Sequence, residues 1–318
     1  MKVSEVIRKY LRRLFKSESY AVAYRFLPSS NTPLGVQQPE YHLIKLGWNY
    51  WCADPFPFYY QGEWYIFVEI YHMYRTKARL GYYRLNQLDR VHIILDEPFH
   101  LSYPNVFSWG DDIYMIPETY QARQLRLYRA SAFPDRWELD SVLLENRSLL
   151  DASVYIDGNI IYVEAMEKRG EDGCSGNRLF KLDMKSRSIV ELDRASSSYI
   201  DRRPAGNFFF VENQLYHALQ NCDRQYGEFV HIACVQSFSD GGLKEAEVMQ
   251  FHVEGLPVKS DRRLVRTHTF NRIRELEVVD VAMARWMIVK PIFSFLRVSG
   301  FLCMGMGRKI ARCLSRLS

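Results

Sequence analysis

The chain lacks most of the sequence features that mark metal, cofactor and disulfide sites. Its six cysteines, at positions 52, 174, 222, 234, 303 and 313, form neither a CxxC pair nor a metal-ligand spacing. Cysteines scattered so widely through a long chain do not indicate a disulfide framework. A P-loop, a dinucleotide-binding glycine motif and an EF-hand loop are also missing. We therefore predict reduced cysteines in a cytoplasmic protein, with no metal ion and no cofactor.

A secretory signal and an uninterrupted apolar run are also missing. The N-terminus is charged, but no apolar stretch of seven or more residues follows it, as a signal peptide would require. From Trp286 to Gly307 the chain is largely apolar, but Lys290, Pro291 and Arg297 interrupt it. A membrane-spanning helix needs about 20 mostly apolar residues, so these interruptions argue against a span.

Charge is distributed unevenly along the 318 residues. The net charge of +5 consists of +5 in residues 1–25, +7 in residues 285–318 and −7 in the remainder. A nucleic-acid groove needs basic residues spread along its binding face, so no nucleic-acid partner is predicted. An acidic body with basic ends is instead typical of a protein that is held at an anionic surface.

The two ends are predicted to bind a membrane. Residues 1–18 carry Val6, Tyr10 and Leu14 on one face at helical spacing, with basic residues around them, which predicts a basic amphipathic helix. Residues 285–318 form a basic apolar tail that fits an anchor lying flat on a bilayer, although packing back against the body is an alternative. We therefore expect a peripheral protein on the inner face of the cell membrane, with an anionic membrane surface as a partner.

The middle of the chain, residues 19–284, contains an internal repeat. Each copy has a polar opening motif, an apolar strand, a turn and a second strand that ends near a polar residue. The copies are residues 53–69, 102–118, 150–164, 202–220 and 266–280, with turns at Gln61-Gly62, Gly110-Asp111, Asp157-Gly158, Glu212-Asn213 and Arg274-Glu275. Aromatic residues make up 14% of the chain, which also favours β structure.

The spacing of the copies predicts the fold class. Counted from Asp54, the opening motifs recur at Tyr103, Asp151, Arg203 and His268, in steps of 49, 48, 52 and 65 residues. Each step holds two strands and leaves room for two more, so five copies give an all-β, five-bladed β-propeller. A two-sheet sandwich is the alternative, but sandwiches do not show this longer period.

The predicted topology brings the opening motifs together. The first strand of each propeller blade lines the central channel, so residues far apart in sequence meet around one funnel. We therefore predict a site that contains Asp54, Tyr103, Asp151, Arg203 and His268.

Several motifs also resemble a known family. ADPF, HLSYPNVF, MIPET, LDASVY, RRPAG, YG and HTFN resemble bacterial surface-polysaccharide proteins and the N-terminal domain of plant glucosamine inositolphosphorylceramide transferases. More distantly, ADP and DASVYIDG are similar to five-bladed furanosidase-type glycoside hydrolases. The resemblance implies a propeller with a sugar or glycan substrate. It also implies that Asp54 acts as base or nucleophile, and that Asp151 orients the substrate and tunes the acid.

The fourth blade departs from the hydrolase pattern. Those hydrolases carry a general-acid Glu there, whereas this chain has the run from Arg202 to Gly206, which contains no carboxylate. Glycoside hydrolysis needs two carboxyl groups. Transfer from an activated sugar does not, because a phosphate leaves without protonation when cations such as Arg203 and His268 neutralise it.

These considerations give one set of candidate residues and three candidate functions. The catalytic candidates are Asp54, Asp151 and Glu118, and the substrate-binding candidates are Tyr103, Arg203, His268, Glu69 and Glu164. Purely structural roles, such as a turn cap at Asp54, an ion pair at Arg203 or a core histidine at His268, are the alternatives.

We expect an enzyme of surface-polysaccharide or glycolipid biosynthesis that transfers a sugar from an activated donor at the membrane face. The alternatives are a propeller-type glycoside hydrolase and a glycan-binding module without activity.

Overall fold

The computed structural model describes residues 16–286, apart from 46, 48, 74, 169–174, 193–201 and 240–241. Its regular structure is almost entirely β, and the strands form five antiparallel sheets. The first two strands, β1 (Lys16–Phe26) and β2 (His42–Leu43), join the last sheet. The fold is the predicted five-bladed propeller, and the sandwich is excluded.

The first two blades each contain four strands in sequence order, beginning with the strand nearest the channel. Blade I consists of β3 (Tyr50–Tyr60), β4 (Glu63–His72), β5 (Arg79–Arg84) and β6 (Gln87–Leu95). Blade II consists of β7 (Ser102–Trp109), β8 (Asp112–Glu118), β9 (Gln124–Ala132) and β10 (Arg136–Glu145), with a 3₁₀ turn at Tyr120–Ala122.

Blades III and IV repeat this arrangement. Blade III consists of β11 (Leu149–Asp157), β12 (Ile160–Lys168), β13 (Ser175–Asp183) and β14 (Ser188–Glu191). Blade IV consists of β15 (Phe209–Val211), β16 (Gln214–Gln220), β17 (Val230–Ser239) and β18 (Gly242–Phe251), followed by a 3₁₀ turn at Val253–Gly255.

Blade V closes the ring with strands from both ends of the described chain. The strands β19 (Leu264–Arg266) and β20 (Phe270–Ile273) both pair with β21 (Leu276–Trp286), and β21 pairs with β1. The β1–β21 pairing is continuous from Lys16↔Trp286 to Phe26↔Leu276. The sequence repeat did not predict this closure, because β1 lies outside the repeat.

The turns between the first and second strands lie where the sequence predicted them, with one shift. Four of the five turns match the prediction, whereas the third lies at Gly158-Asn159 because Asp157 still pairs with Ile160. Residues with positive φ occur in these turns, including Gln61, Glu212 and Arg274. The tight hairpin imposes this backbone conformation even where the sequence offers no glycine.

The predicted terminal membrane segments lie mostly outside the described residues. β1 begins at Lys16 and β21 ends at Trp286, so the expected domain boundaries at 18/19 and 284/285 lie within paired strands. No helix in the described part of the chain is long and apolar enough to cross a membrane.

A buried ion-pair cluster fixes the closure of blade V. The Nε of Arg25, on β1, donates to Oε2 of Glu277, on β21, at 2.7 Å, and Tyr41 donates to the same oxygen at 2.9 Å. Arg272 lies 3.3 Å from the other Glu277 oxygen and also donates to the carbonyls of Ser30 and Thr32. Two strands distant in sequence therefore depend on one buried carboxylate.

We predict that Arg25→Ala lowers the free energy of unfolding by about 3–5 kcal/mol, because it removes one partner of a buried ion pair. The measurement is guanidinium-induced unfolding followed by far-UV circular dichroism. Arg90→Ala is the matched control, since Arg90 is exposed on β6. An unfolding midpoint for Arg25→Ala equal to that of the control would contradict the structural role of this cluster.

Candidate active site

Three of the inner strands contain the same backbone distortion, a β-bulge near the start of the strand. The pairing of β3, β7 and β11 with their neighbours shifts at Ala53/Phe56, Ser102/Asn105 and Leu150/Ser153. In each bulge the first residue after the pairing break has a positive φ: 48° at Asp54, 50° at Tyr103 and 50° at Asp151. Non-glycine residues rarely adopt this conformation, and they persist in it where the surroundings enforce it, often at functional sites.

Each bulge is tied to the preceding blade by the same kind of hydrogen bond. The backbone N–H of Asp54 donates to Asp280 at 3.3 Å, that of Tyr103 to Asp54 at 3.2 Å, and that of Asp151 to Glu118 at 3.2 Å. The carboxylates that join the blades thus lie at one end of the channel.

A pocket of about 230 Å³ opens at this end. It brings together five of the eight predicted residues, namely Asp54, Glu69, Glu118, Arg203 and His268. The pocket is also lined by residues that were not predicted: Tyr20, Trp51, Ala53, His100, Ser102 and Tyr226.

Asp54 lies at the centre of the first group of contacts. Its Oδ1 accepts a hydrogen bond from the Thr269 hydroxyl at 2.8 Å and lies 3.4 Å from Nε2 of His268. Nδ1 of His268 is 2.7 Å from Asp280. Burial raises the pKa of Asp54 to about 6, although the His268 charge opposes this. Burial alone would lower the pKa of His268, but the carboxylates of Asp280 and Asp54 raise it above its usual value.

Arg203 organises the second group. Its guanidinium binds both oxygens of Asp151, through Nε and Nη2, and Nη2 also donates to Oε2 of Glu118 at 3.0 Å. Gln220 donates to Asp151 at 2.9 Å. Burial raises the pKa of Glu118 well above its usual value even though Arg203 lowers it. Burial thus favours the protonated form of Glu118, while Asp151 binds the arginine through both of its oxygens.

Glu69 forms the third part of the pocket wall. Its Oε1 lies 3.4 Å from Nε2 of His100. Burial raises the pKa of Glu69 well above its usual value, and the nearby charges of Asp54 and Glu118 add to this. Burial and the Arg203 charge lower the pKa of His100 to about 4. The pocket therefore combines Asp54, whose pKa is about 6, with two carboxyl groups whose pKa values are raised well above the usual value.

Two of the predicted substrate-binding residues, Tyr103 and Glu164, do not line the pocket. The Tyr103 side chain is fully buried, stacks edge-on against Phe56 at 4.7 Å and shares a 2.9 Å hydrogen bond with Ser153. Only its backbone N–H contributes to the site, because the bulge turns the ring into the interface between blades. The prediction for Tyr103 is therefore corrected to a backbone role.

Glu164 is displaced by its strand register. Glu69 and Glu118 pair with Ala53 and Ser102, directly before the bulge, whereas Glu164 pairs with Ser153, after it. Glu164 therefore lies deeper in the blade, where Asn177 donates to it at 2.8 Å and His217 lies 3.4 Å away. It belongs to a separate buried cluster and does not line the pocket.

Amide side chains bridge the channel below the pocket. Asn105, on blade II, and Asn207, directly before blade IV, exchange hydrogen bonds of 2.5 and 3.1 Å. Asn271, on blade V, accepts from the Asn207 N–H at 2.7 Å and donates to the Pro55 carbonyl at 2.9 Å. Because blades II and IV are not neighbours, these bonds cross the channel and give the pocket a floor.

One group of side chains has the geometry of a metal site. Asp54, His268 and Asp280 offer ligand atoms that all lie within 4.8 Å of one another. A metal-binding imidazole must be neutral. In the structure the His268 ring lies between two carboxylates, with Nδ1 2.7 Å from Asp280 and Nε2 3.4 Å from Asp54, and these raise its pKa and favour an ion-paired imidazolium.

Some of the unpredicted pocket residues belong to motifs visible in the sequence. His100 and Ser102 are part of HLSYP, and Tyr226 is part of YG. Gly227 has a φ of 58°, and a Cβ there would lie 2.5 Å from Cβ of His268. The YG pair thus requires glycine for packing, and it holds Tyr226 at the pocket. Asp280 ends the fifth repeat, in the place that Glu69 and Glu118 take in the first two.

Comparison with known proteins agrees with this description. Residues 45–290 match the family described as glucosamine inositolphosphorylceramide transferase 1, N-terminal. A protein of that name from Oryza sativa subsp. indica is 30% identical over 214 residues, which are 62% of this chain and 28% of the relative. The protein of that name from Arabidopsis thaliana is 28% identical over 233 residues, or 69% and 30% of the two chains. The matches thus span less than a third of these relatives.

Two solved structures with the same fold are glycoside hydrolases. A family 117 enzyme from the marine bacterium Zobellia galactanivorans has a TM-score of 0.50 at 10% identity, covering 85% of this chain and 91% of that one. A GH43 β-xylosidase/α-arabinofuranosidase from a compost metagenome also has a TM-score of 0.50, at 13% identity, covering 74% and 92%. Identities this low establish the shared fold alone.

The buried cluster around Glu164 makes stability depend on pH. His217 is 2.8 Å from Glu245 and stacks on Phe208 with 4.0 Å between ring centres. Burial alone would lower the pKa of His217, but Glu164 and Glu245 raise it above 6.5. Since the folded-state pKa is raised, this ion pair stabilises fully below about pH 6.5, and its contribution is lost as the pH rises through the folded-state value.

We predict that the difference in melting temperature between wild type and His217→Gln is largest near pH 6 and shrinks as the pH rises. Thermal unfolding across this pH range measures it. His42→Gln, at an exposed histidine, is the control. A difference that stays constant with pH would show that His217 is not charged in the folded protein.

Proposed function

This chain belongs to the glucosamine inositolphosphorylceramide transferase 1, N-terminal, family, and we propose that it transfers a sugar from an activated donor to a hydroxyl group of a glycan or glycolipid. The observation that carries the proposal is Asp54, a buried carboxylate in a concave pocket with a pKa of about 6. A general base works best when its pKa lies near the operating pH. The names of the plant relatives support transfer rather than hydrolysis.

Asp54 is the base in this reaction. Thr269 and the Tyr103 N–H each occupy one of its oxygens, and each carboxylate oxygen has a second acceptor position. The acceptor hydroxyl gives its proton to Asp54, and its oxygen bonds to the anomeric carbon of the donor sugar. The bond from that carbon to the phosphate oxygen breaks, and its electron pair leaves with the phosphate.

Arg203 neutralises the leaving phosphate. Its contacts with Asp151 and Glu118 involve Nε and Nη2, which leaves the two N–H groups of Nη1 without a partner in the described part of the chain. The two carboxyl groups fix the guanidinium plane, so Asp151 acts as a positioning residue. His268 is held by Asp280 and Asp54, and we therefore assign it to keeping Asp54 ionised rather than to the phosphate.

The rim of the pocket suits a sugar ring. Tyr20, Trp51 and Tyr226 surround the carboxyl groups. Trp51 stacks on Tyr71 at 4.9 Å, and Tyr226 lies edge-on to His268 at 5.4 Å. Aromatic faces above hydrogen-bonding carboxyl groups match the apolar and polar sides of a pyranose or furanose ring.

We propose a peripheral location on the inner face of the cell membrane. The support is the sequence beyond the described residues, where residues 287–318 contain six basic and no acidic side chains. Basic segments with apolar residues bind anionic lipid surfaces.

Hydrolysis of a glycoside is the second candidate, and Glu69 is the observation that favours it. Burial raises the pKa of Glu69 well above its usual value, which favours the protonated form and suits the acid that a hydrolase needs. Hydrolysis would release free sugar from a glycoside without any activated donor. Affinity for glycans without turnover would instead mark a binding module.

We predict that Asp54→Asn lowers kcat by about 10²- to 10⁴-fold, as expected for the loss of a general base. The wild-type kcat/KM should rise as the pH increases through about 6, because Asp54 must lose its proton to act. The Asp54→Asn variant should not show this rise of kcat/KM with pH. The measurement is glycan product formed against pH, with Asp111→Asn, at an exposed turn, as the control. Wild-type turnover in Asp54→Asn would disprove the assignment.

We predict that Arg203→Lys raises the KM for the donor and leaves the KM for the acceptor nearly unchanged. A lysine keeps the charge but cannot hold two carboxyl groups and a phosphate together. Donor and acceptor are titrated separately, with Arg202→Lys, which alters a surface ion pair with Asp223, as the control. An effect confined to acceptor use would contradict the phosphate role.

A further inference from the structure

The closing strands run past the pocket. Tyr20, which lines the pocket, pairs with Ala282, and the β1–β21 pairing continues for four further residue pairs, to Lys16↔Trp286. At about 3.4 Å per residue, this ribbon extends roughly 13 Å beyond the pocket wall along the strands. In blades II and IV the corresponding strands β8 and β16 end at Glu118 and Gln220, level with the site.

The direction of these strands fixes where both chain ends leave the propeller. β21 runs from the Arg274-Glu275 turn, at the end opposite the pocket, toward the pocket, and β1 runs back antiparallel to it. Residues 1–15 and 287–318 are therefore joined to the body side by side at the pocket-bearing end. Only this end of the propeller is connected to the two segments.

The charge of the chain changes between the two ends of the propeller. Residues 1–15 carry five basic and one acidic side chain, and residues 287–318 carry six basic and none acidic. The five inner turns at the opposite end include three acidic residues and one basic residue, which are Asp111, Glu212, Glu275 and Arg274. The two basic segments thus attract an anionic surface toward the end of the propeller from which they leave.

The surface beside the pocket is suitable for contact with the headgroups of a lipid bilayer. The loop between β16 and β17 exposes Cys222, the side chain of Arg224 is 79% exposed, and Tyr226 is 46% exposed at the pocket itself. Tyrosine and arginine are common at membrane interfaces, where one part of the side chain meets lipid and the other water.

We propose that the pocket-bearing end of the propeller docks on an anionic lipid bilayer, so that the pocket opens toward the headgroups and accepts a lipid-linked sugar or headgroup hydroxyl. The inference rests on the proposed function for the chemistry, but the orientation rests on the strand directions and charges. A propeller held by its ends with the pocket facing away would instead act on soluble glycans. The orientation thus selects the class of acceptor.

The experiment compares two thiols at opposite ends of the folded full-length protein. Cys174, Cys234, Cys303 and Cys313 are replaced by serine, and buried Cys52 is kept. One protein retains Cys222, and its matched partner carries Cys222→Ser and Asp111→Cys at the opposite end. The rate of modification by a membrane-impermeant maleimide is measured without vesicles, with phosphatidylcholine vesicles, and with vesicles of equal phosphatidylglycerol and phosphatidylcholine.

We expect the anionic vesicles to slow modification of Cys222 severalfold and to leave Asp111→Cys unchanged, with high salt removing the effect. Equal protection of both thiols, protection of Asp111→Cys alone, or no protection with any vesicle overturns the inference. Sugar transfer to a soluble acceptor, assayed without vesicles, tests the proposed function separately. Transfer without protection would reject the docking only, and protection without transfer would reject the chemistry only.

Discussion

The hydrogen bond from a left-handed bulge to a carboxylate of the preceding blade is the interaction on which this structure depends. Asp54, Tyr103 and Asp151 adopt a backbone conformation that costs of order 1–3 kcal/mol each, and each directs its N–H to a carboxylate. The same contacts that join the blades therefore gather acidic groups at one end of the channel. Structure and candidate chemistry share the same residues.

The crowding of carboxyl groups then determines their protonation. Burial and mutual repulsion raise the pKa values of Glu69 and Glu118, while the ion pair of His268 with Asp280 favours a positive charge beside Asp54. Arg203 supplies the other charge, within hydrogen-bonding distance of both Asp151 and Glu118. The two cations and the crowded carboxyl groups thus set different pKa values for acids that lie in one pocket.

The sequence repeat predicted the propeller, the number of blades and the convergence of Asp54, Arg203 and His268, and it made Glu69 and Glu118 candidates as well. Those predictions depended on period and on the position of a residue within the repeat, which the fold preserves. Glu164 was misassigned because the residue of β12 that pairs directly before the bulge is Met166, two positions later, and the sequence does not reveal this register. Tyr103 was misassigned because the bulge, not the strand alternation, sets the direction of its side chain.

The residues from outside the repeat could not be predicted from the period. Tyr20 reaches the pocket because β1 pairs with β21 across the whole chain, and Tyr226 reaches it from a loop. Non-local pairing of this kind leaves no local sequence signal. Asp280 is different, since it ends the fifth repeat as Glu69 and Glu118 end the first two, and this visible signal was not used in the prediction.

The most direct test of the account is the fate of a labelled sugar. Purified protein is incubated with a panel of radiolabelled nucleotide-activated and lipid-phosphate-activated sugars, together with lipid and glycan acceptors, and the products are separated by extraction and chromatography. We predict that the label moves from one activated donor into a larger glycan or glycolipid, with free sugar as a minor product. Accumulation of free sugar alone, or binding of glycans with no movement of label from any donor, would contradict it.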